Sequence, residues 1–441
     1  MPSKFLKLQS ERGVVLRPGV LSIRSQYDMF GRSCDGVRQP CPEASLYDAL
    51  QPTKICNGTV NLPFDPDEII DNLRLERYRS DQSGYANLKK TYYRLRPFTN
   101  RHLRRLIQKL WIGSSQKQAF PQWPVDTTVE DICERLLLLS LQAQGVERIP
   151  FVWFWPNAAR GCVLMTHDVE EEAGRDFCPE LMDIDDSFGF KTSFQIVPEG
   201  RYTVPPELLD LIRRRGCEIA VHDLNHDGGL YDDRKRFLQR AARINHYARE
   251  YDAKGFRAGV LYRNLEWYSS LDFSFDMTMP NVAHLDPQRG GCCTVMPYFI
   301  GRILELPVTT AQDYTLFHLL NERHIALWKN QVELILQKNG LASFIVHPDY
   351  VEDHDTKPVY EELLKYLRGL GDEEPVWHAL PSEIDAWWRA RSGMSVVKHG
   401  DSWRIEGDGA ERAVLAFAKD VDGKLVYEVE QVRADESCVH Q

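Results

Sequence analysis

Two stretches of the chain hold residue types that do chemistry in groups. Val163-Leu164-Met165-Thr166-His167-Asp168-Val169-Glu170 opens as an apolar run of β character and ends in two carboxylates. Side chains alternate faces along a strand, so Thr166, Asp168 and Glu170 point one way and His167 and Val169 the other. Two acids converging at the C-terminal end of a strand can hold a metal, activate a water, or take one task each. An acidic surface turn is the competing reading, because Glu171 and Glu172 follow directly. The second stretch is Glu218-Ile219-Ala220-Val221-His222-Asp223-Leu224-Asn225-His226. Histidines four apart project to one side whether the backbone is helical or extended. Two histidines and one carboxylate of the first stretch make a common three-ligand set that leaves positions open for water and substrate. Zinc, cobalt, nickel or manganese all suit two imidazoles and a carboxylate, with zinc the first expectation.

Both stretches follow apolar strands, and strand ends in a barrel share one rim. Strand patterns run over Cys162–Thr166, Thr192–Val197, Glu218–Val221, Gly255–Ala258, Phe273–Met277, Ile303–Val308, Ala342–Val346 and Val376–His378. Helical patterns run over Pro205–Arg215, Asp232–Glu250, Asn321–Lys338, Lys357–Leu367 and Pro381–Ala390. This alternation predicts an α/β fold, a distorted (β/α) barrel of seven or eight strands with its chemistry at the strands' C-terminal ends. Residues 1–60, rich in Gly, Pro, Ser and Cys, read as an irregular N-terminal arm, and 61–150 as a helical extension. The barrel then occupies 151–392, and Gly-punctuated alternating runs make 393–441 a small β-hairpin module. The aromatic stretches Pro121-Gln122-Trp123-Pro124 and Pro150 to Pro156 read as packed connectors into the barrel. Asp183, Asp185 and Asp186 lack the spacing of a calcium loop and read as a solvated turn.

Composition narrows the function. A formal charge of -10 in 441 residues argues against nucleic acid as a partner. The N-terminus has charges but no apolar core, so no signal peptide is expected, and the apolar runs are far too short to span a membrane. Ten cysteines are scattered without a disulfide pattern, which fits reduced thiols in a cytoplasm. On that placement the Asn57-Gly58-Thr59 glycosylation match is accidental. A basic amphipathic helix is expected from about Asn100, with Leu103, Leu106, Ile107, Leu110 and Trp111 on one face and Arg101, Arg104, Arg105 and Lys109 on the other. Such a helix docks on a domain or makes peripheral contact with the inner face of a membrane.

The set of motifs resembles the polysaccharide deacetylase family (NodB homology, carbohydrate esterase 4), over about residues 155–392. Thr166-His167-Asp168-Val169-Glu170 matches that family's T-F-D-D element loosely, and His222 to His226 matches H-[ST]-x-x-H with Asp223 in the Ser/Thr slot. Arg257-Ala258-Gly259 resembles R-x-P with Gly259 replacing proline, and Ile345-Val346-His347 resembles L-x-H. The resemblance implies a metal-dependent hydrolase that removes acetyl groups from an N-acetylated sugar, in a polysaccharide or its nucleotide- or lipid-linked precursor. One alignment puts His167 in the base position and Asp168 on the metal. The other makes Asp168 the base and Glu170 the ligand, and strand alternation favours it. On this alignment Arg257 pairs with Asp168, and His347 protonates the leaving amine. Asp313 stands where it could orient His347. O-deacetylation, or hydrolysis of another C–N bond, on the same site is the alternative chemistry. A non-catalytic carbohydrate-binding barrel is the alternative class.

Overall fold

The computed structural model describes residues 65–78, 120–372, 374–400 and 402–430, with short strands at 8–10, 14–16, 31–33, 54–56 and 59–62. The basic helix expected around Leu103, and with it the peripheral membrane contact, lies outside these residues. Among them, no helix is long and apolar enough to cross a membrane. Within residues 1–60 the strands at 8–10, 14–16, 31–33 and 54–56 have three residues each, too short to leave an alternating pattern.

One curled sheet carries the fold. Its strands are β1 (Gly161–Val169), β2 (Ser193–Ile196), β3 (Glu218–His222), β4 (Gly255–Arg257), β5 (Phe275–Asp276), β6 (Tyr298–Ile300), β7 (Ile303–Glu305), β8 (Leu341–Val346) and β9 (Val376–His378). The order is β6-β7-β5-β4-β3-β2-β1-β8, with β9 beside the first residues of β1. All pairs are parallel except β6 with β7. Each of the eight strand patterns read from the sequence is a strand here, and the architecture is the distorted barrel expected.

The distortion has two local causes. Between β4 and β5 the crossover helix shrinks to 3-10 turns at Gly259–Leu261 and Leu265–Ser270. Between β7 and β8 threonine side chains replace a strand ladder: Thr309 Oγ1 donates to Leu341 O at 2.7 Å and Thr310 Oγ1 to Ser343 O at 2.8 Å. Gly255 is required where β4 meets β5, since a Cβ there would lie 2.1 Å from the Phe275 ring.

Alternation along β1 sorts its side chains between two cores. Cys162 and Leu164 join Ala220, Phe275, Leu304 and Leu341 inside the barrel, while Val163, Met165 and Val169 face the surrounding helices. Those helices are α1 (Glu172–Ser187), α2 (Pro206–Arg214), α3 (Arg234–Glu250), α4 (Ala326–Gln337), α5 (Lys357–Gly369) and α6 (Pro381–Gly393). α2 shows why such segments are helical: proline opens it, Leu208, Leu209 and Ile212 form its buried face, and Arg213 and Arg214 sit at the negative end of its dipole. The aromatic connector before β1 is packed as expected, with Trp155 fully buried among Ile384, Trp387 and the interior residues.

Segments outside the barrel are keyed to it. Glu76 forms a buried ion pair with Arg263, whose Nε is 2.9 Å from Glu76 Oε2, and Gly291 N donates to Glu76 Oε1 at 2.6 Å. The C-terminal segment forms two hairpins, and the strand Leu415–Val421 pairs antiparallel with Arg148–Val152, so this module includes residues ahead of the barrel.

One barrel pair gives a stability prediction. Asp276 on β5 and Glu305 on β7 are register partners, both buried. Burial and the neighbouring Asp276 hold the Glu305 carboxyl well above its ordinary value, and burial also raises Asp276. The folded pair therefore keeps a proton that the unfolded chain releases near pH 4, and stability falls as pH rises above that value. In Glu305→Gln the amide oxygen still accepts from Met279 N, which Glu305 Oε1 does at 2.9 Å, and its NH2 can donate to Asp276. Urea unfolding at pH 5 and pH 8 is expected to show the variant gaining on wild type with pH, by about 1–3 kcal/mol. An equal difference at both pH values contradicts the shared proton.

Candidate active site

The C-terminal ends of β1, β3, β4 and β8 bring the sequence-selected residues together. Asp168 and Glu170 leave β1 on one face, as alternation requires. His167 faces the opposite way, fully buried, with Nε2 3.0 Å from Asp185 Oδ2. Glu170 Oε1 lies 2.9 Å from His226 Nε2 and 3.4 Å from both His222 Nε2 and His347 Nε2. Asp168 Oδ2 is 3.6 Å from His222 Nε2. Two groups offer ligand atoms that all lie within 4.8 Å of one another: Glu170, His222 and His226, and Asp168, Glu170 and His347.

The two histidines of H-x-x-x-H do not converge through regular backbone. His222 ends β3, and the chain then turns back through Asp223 (φ 56°) and His226 (φ 50°), both left-handed. That turn brings the imidazole centroids to 4.9 Å. The expectation of a helical or extended path is therefore corrected. Its conclusion, both rings on one side, rests on two strained residues instead.

Asp168 is tied on one oxygen and open on the other. The fully buried Arg257 donates from Nη1 to Asp168 Oδ1 at 2.5 Å and to Thr166 Oγ1 at 2.9 Å, and from Nε to Met277 O at 2.8 Å. Burial alone would raise the Asp168 carboxyl, but the charges of Arg257, His222 and His347 outweigh it and hold the pKa below its ordinary value. Burial likewise works against Glu170, whose pKa falls well below the usual range because His226, His222 and His347 surround it. Asp313 accepts from His347 N at 2.6 Å and faces its Nδ1 at 2.7 Å. Burial would lower the His347 pKa, yet Asp313 and Glu170 lift it well above 6.5.

The two departures from the motif pattern meet in space. A Cβ on Gly259 would lie 2.6 Å from Asp223 Oδ2 and 2.8 Å from His226 Cδ2. With aspartate in the Ser/Thr slot, only glycine fits the position where the pattern has proline. Asp223 Oδ1 accepts from Leu224 N at 2.6 Å, while its Oδ2 is buried without a partner.

Two residues of the site's surroundings had not been singled out for it. The sequence pattern places Asp185 in a solvated turn. It lies instead on the buried face of α1, accepting from Tyr360 Oη at 2.6 Å and Thr192 Oγ1 at 3.0 Å beside His167. Only Asp183 and Asp186 of that group reach solvent, paired with Arg215. The signal was present: Phe177, Leu181 and Asp185 fall at i, i+4 and i+8. Arg201 sits at the mouth, with Nη1 2.7 Å from Glu171 Oε1 and Nη2 3.2 Å from His226 Nδ1. No sequence pattern marks it.

The site fits a divalent cation on one specific observation. Glu170, His222 and His226 each offer one ligand atom within 4.8 Å of the others, with Glu170 Oε1 2.9 Å from His226 Nε2. A carboxylate oxygen and two imidazole nitrogens gathered this closely are the donor set a divalent cation takes.

No protein-family model and no curated protein matches the chain. Among solved structures it is similar to a Mycobacterium smegmatis protein assigned as a polysaccharide deacetylase, at 21% identity over 54% of this chain and 93% of that one, with a TM-score of 0.42. It is similar to Puue allantoinase at 12% identity, covering 53% and 92% of the two chains with a TM-score of 0.41. To a family 4 acetyl xylan esterase from Clostridium thermocellum it is similar at 16% identity over 51% and 91% of the chains, with a TM-score of 0.35.

Proposed function

We propose that the chain is a metal-dependent deacetylase of the polysaccharide deacetylase family, acting on an N-acetylated sugar of a polysaccharide or of its nucleotide- or lipid-linked precursor. The observation that carries this reading is the meeting of Asp168 with Glu170, His222 and His226 at one strand-end site, with Arg257 and His347 beside them. Glu170, His222 and His226 would hold the cation, zinc by first expectation, and when bound it supplies Lewis-acid polarisation of the acetamide carbonyl.

The chain's own residues do the proton work. Asp168, kept ionised and oriented by Arg257, takes a proton from the attacking water. His347, kept protonated by Asp313, gives a proton to the departing nitrogen as the C–N bond breaks. Acetate and a free amine result. The ligand atoms of Asp168 and His347 lie within 4.8 Å of each other, so base and acid can serve the same tetrahedral carbon. Peptide-like amides expel nitrogen poorly, which is why both groups are needed.

An acetate-release screen over free, nucleotide-linked and polymeric N-acetylhexosamines tests the reading. Release is expected from at least one class, with loss on chelation and recovery on adding zinc. Stoichiometric metal with saturable glycan binding, but no acetate from any substrate, would instead make the barrel a binding protein.

A further inference from the structure

The three imidazoles at the site differ in what faces their far nitrogen. His222 Nδ1 is 3.1 Å from the carbonyl oxygen of Arg257, and His347 Nδ1 is 2.7 Å from Asp313 Oδ1. Both partners are acceptors. They fix a hydrogen on Nδ1; at His222 this leaves the Nε2 lone pair turned to the site, the usual support for a metal-ligating histidine, while His347 carries its second hydrogen on Nε2 as the acid. His226 has the opposite partner. Arg201 Nη2, 3.2 Å from its Nδ1, is a guanidinium nitrogen that can only donate. An imidazole that accepts at Nδ1 carries its hydrogen on Nε2, where a ligand needs its lone pair. With a cation on Nε2, the hydrogen moves to Nδ1 and two donors confront each other. Arg201 has a second anchor to withdraw to, since its Nη1 already lies 2.7 Å from Glu171 Oε1, which is half exposed at the mouth.

Building on the metal site argued above, we infer that Arg201 is a positioning residue that holds His226 in the Nε2–H form, so that the cation is taken up only when the guanidinium leaves Nδ1. His226 is then the last ligand to engage and the first to release, and the site binds its metal weakly and exchangeably. Arg201 follows Gly200, which takes the left-handed φ of 80° in this loop.

The test uses the full chain, stripped of metal, with Arg201→Leu and Arg201→Gln. Leucine removes the donor, and glutamine offers an amide oxygen to an Nδ1–H. Zinc affinity, measured by competition with a chromophoric chelator, is expected to tighten about 10–100-fold in both variants. Long-range 1H–15N spectra of the metal-free wild type are expected to show His226 as the Nε2–H tautomer and His222 as Nδ1–H. Equal or weaker zinc binding in both variants, or an Nδ1–H tautomer at His226 in metal-free wild type, overturns the role of Arg201 and leaves the metal reading standing. Absence of stoichiometric zinc from wild type and both variants overturns the metal reading, and this proposal with it.

Discussion

Asp168→Asn is expected to lower acetate release by about 10²–10⁴-fold while zinc stoichiometry stays close to wild type. The substitution is nearly isosteric, and the amide oxygen can still accept from Arg257 Nη1, which reaches Asp168 Oδ1 at 2.5 Å. What disappears is the open oxygen, the one lying 3.6 Å from His222 Nε2, as a place to put a proton. Arg257 is the group that costs most to disturb here. It is fully buried and bound by Met277 O, Thr166 and Asp168, so a neutral residue at position 168 leaves it with less charge compensation. A modest loss of stability is therefore consistent with the prediction, and the assay must be run well below the variant's midpoint. Loss of zinc rather than of turnover would place Asp168 among the ligands.

Much of this arrangement is legible in the sequence. The barrel is visible because its strands are buried on both faces, so Cys162–Thr166 and Ala342–Val346 read as largely apolar runs between turn residues. Alternation at the end of β1 separated Asp168 and Glu170 from His167, and the structure puts His167 against Asp185 on the helical side. Three things were not legible, each for a physical reason. α1 was missed because Pro179 and a run of acids interrupt its apolar face, and Asp185 was lost with it. The turn through Asp223 and His226 puts two non-glycine residues in the left-handed region, where the enrichment of Asp and His is too weak a signal to announce it. The contact of Arg201 with His226 joins two loops 25 residues apart, and only the turns in both create it. The fold was written in periodicity; the fine geometry of the site was not, because it depends on non-periodic loops.

His222→Ala is expected to cost more zinc affinity than the about 10–100-fold of a supporting residue, and activity with it. The ring is buried, its Nδ1 is fixed by the Arg257 carbonyl, and its Nε2 faces both Glu170 and Asp168. Truncation removes one of the three ligand atoms of its set. The fold should tolerate the change, since the Arg257 carbonyl keeps the hydrogen bond from Asp223 N at 2.8 Å. A destabilisation of about 1–3 kcal/mol is expected from the cavity and the lost contact. Equilibrium dialysis with zinc, beside a chemical unfolding curve, separates loss of the ligand from loss of the fold. The measurement also decides between the two groupings of potential ligands. His222 belongs to the set with Glu170 and His226 and is absent from the set of Asp168, Glu170 and His347. If His222→Ala keeps its zinc while Asp168→Asn loses it, the cation sits in the second set, and the base must be sought elsewhere. If His222→Ala loses zinc and Asp168→Asn keeps it, Asp168 is free of the cation and available to take the proton.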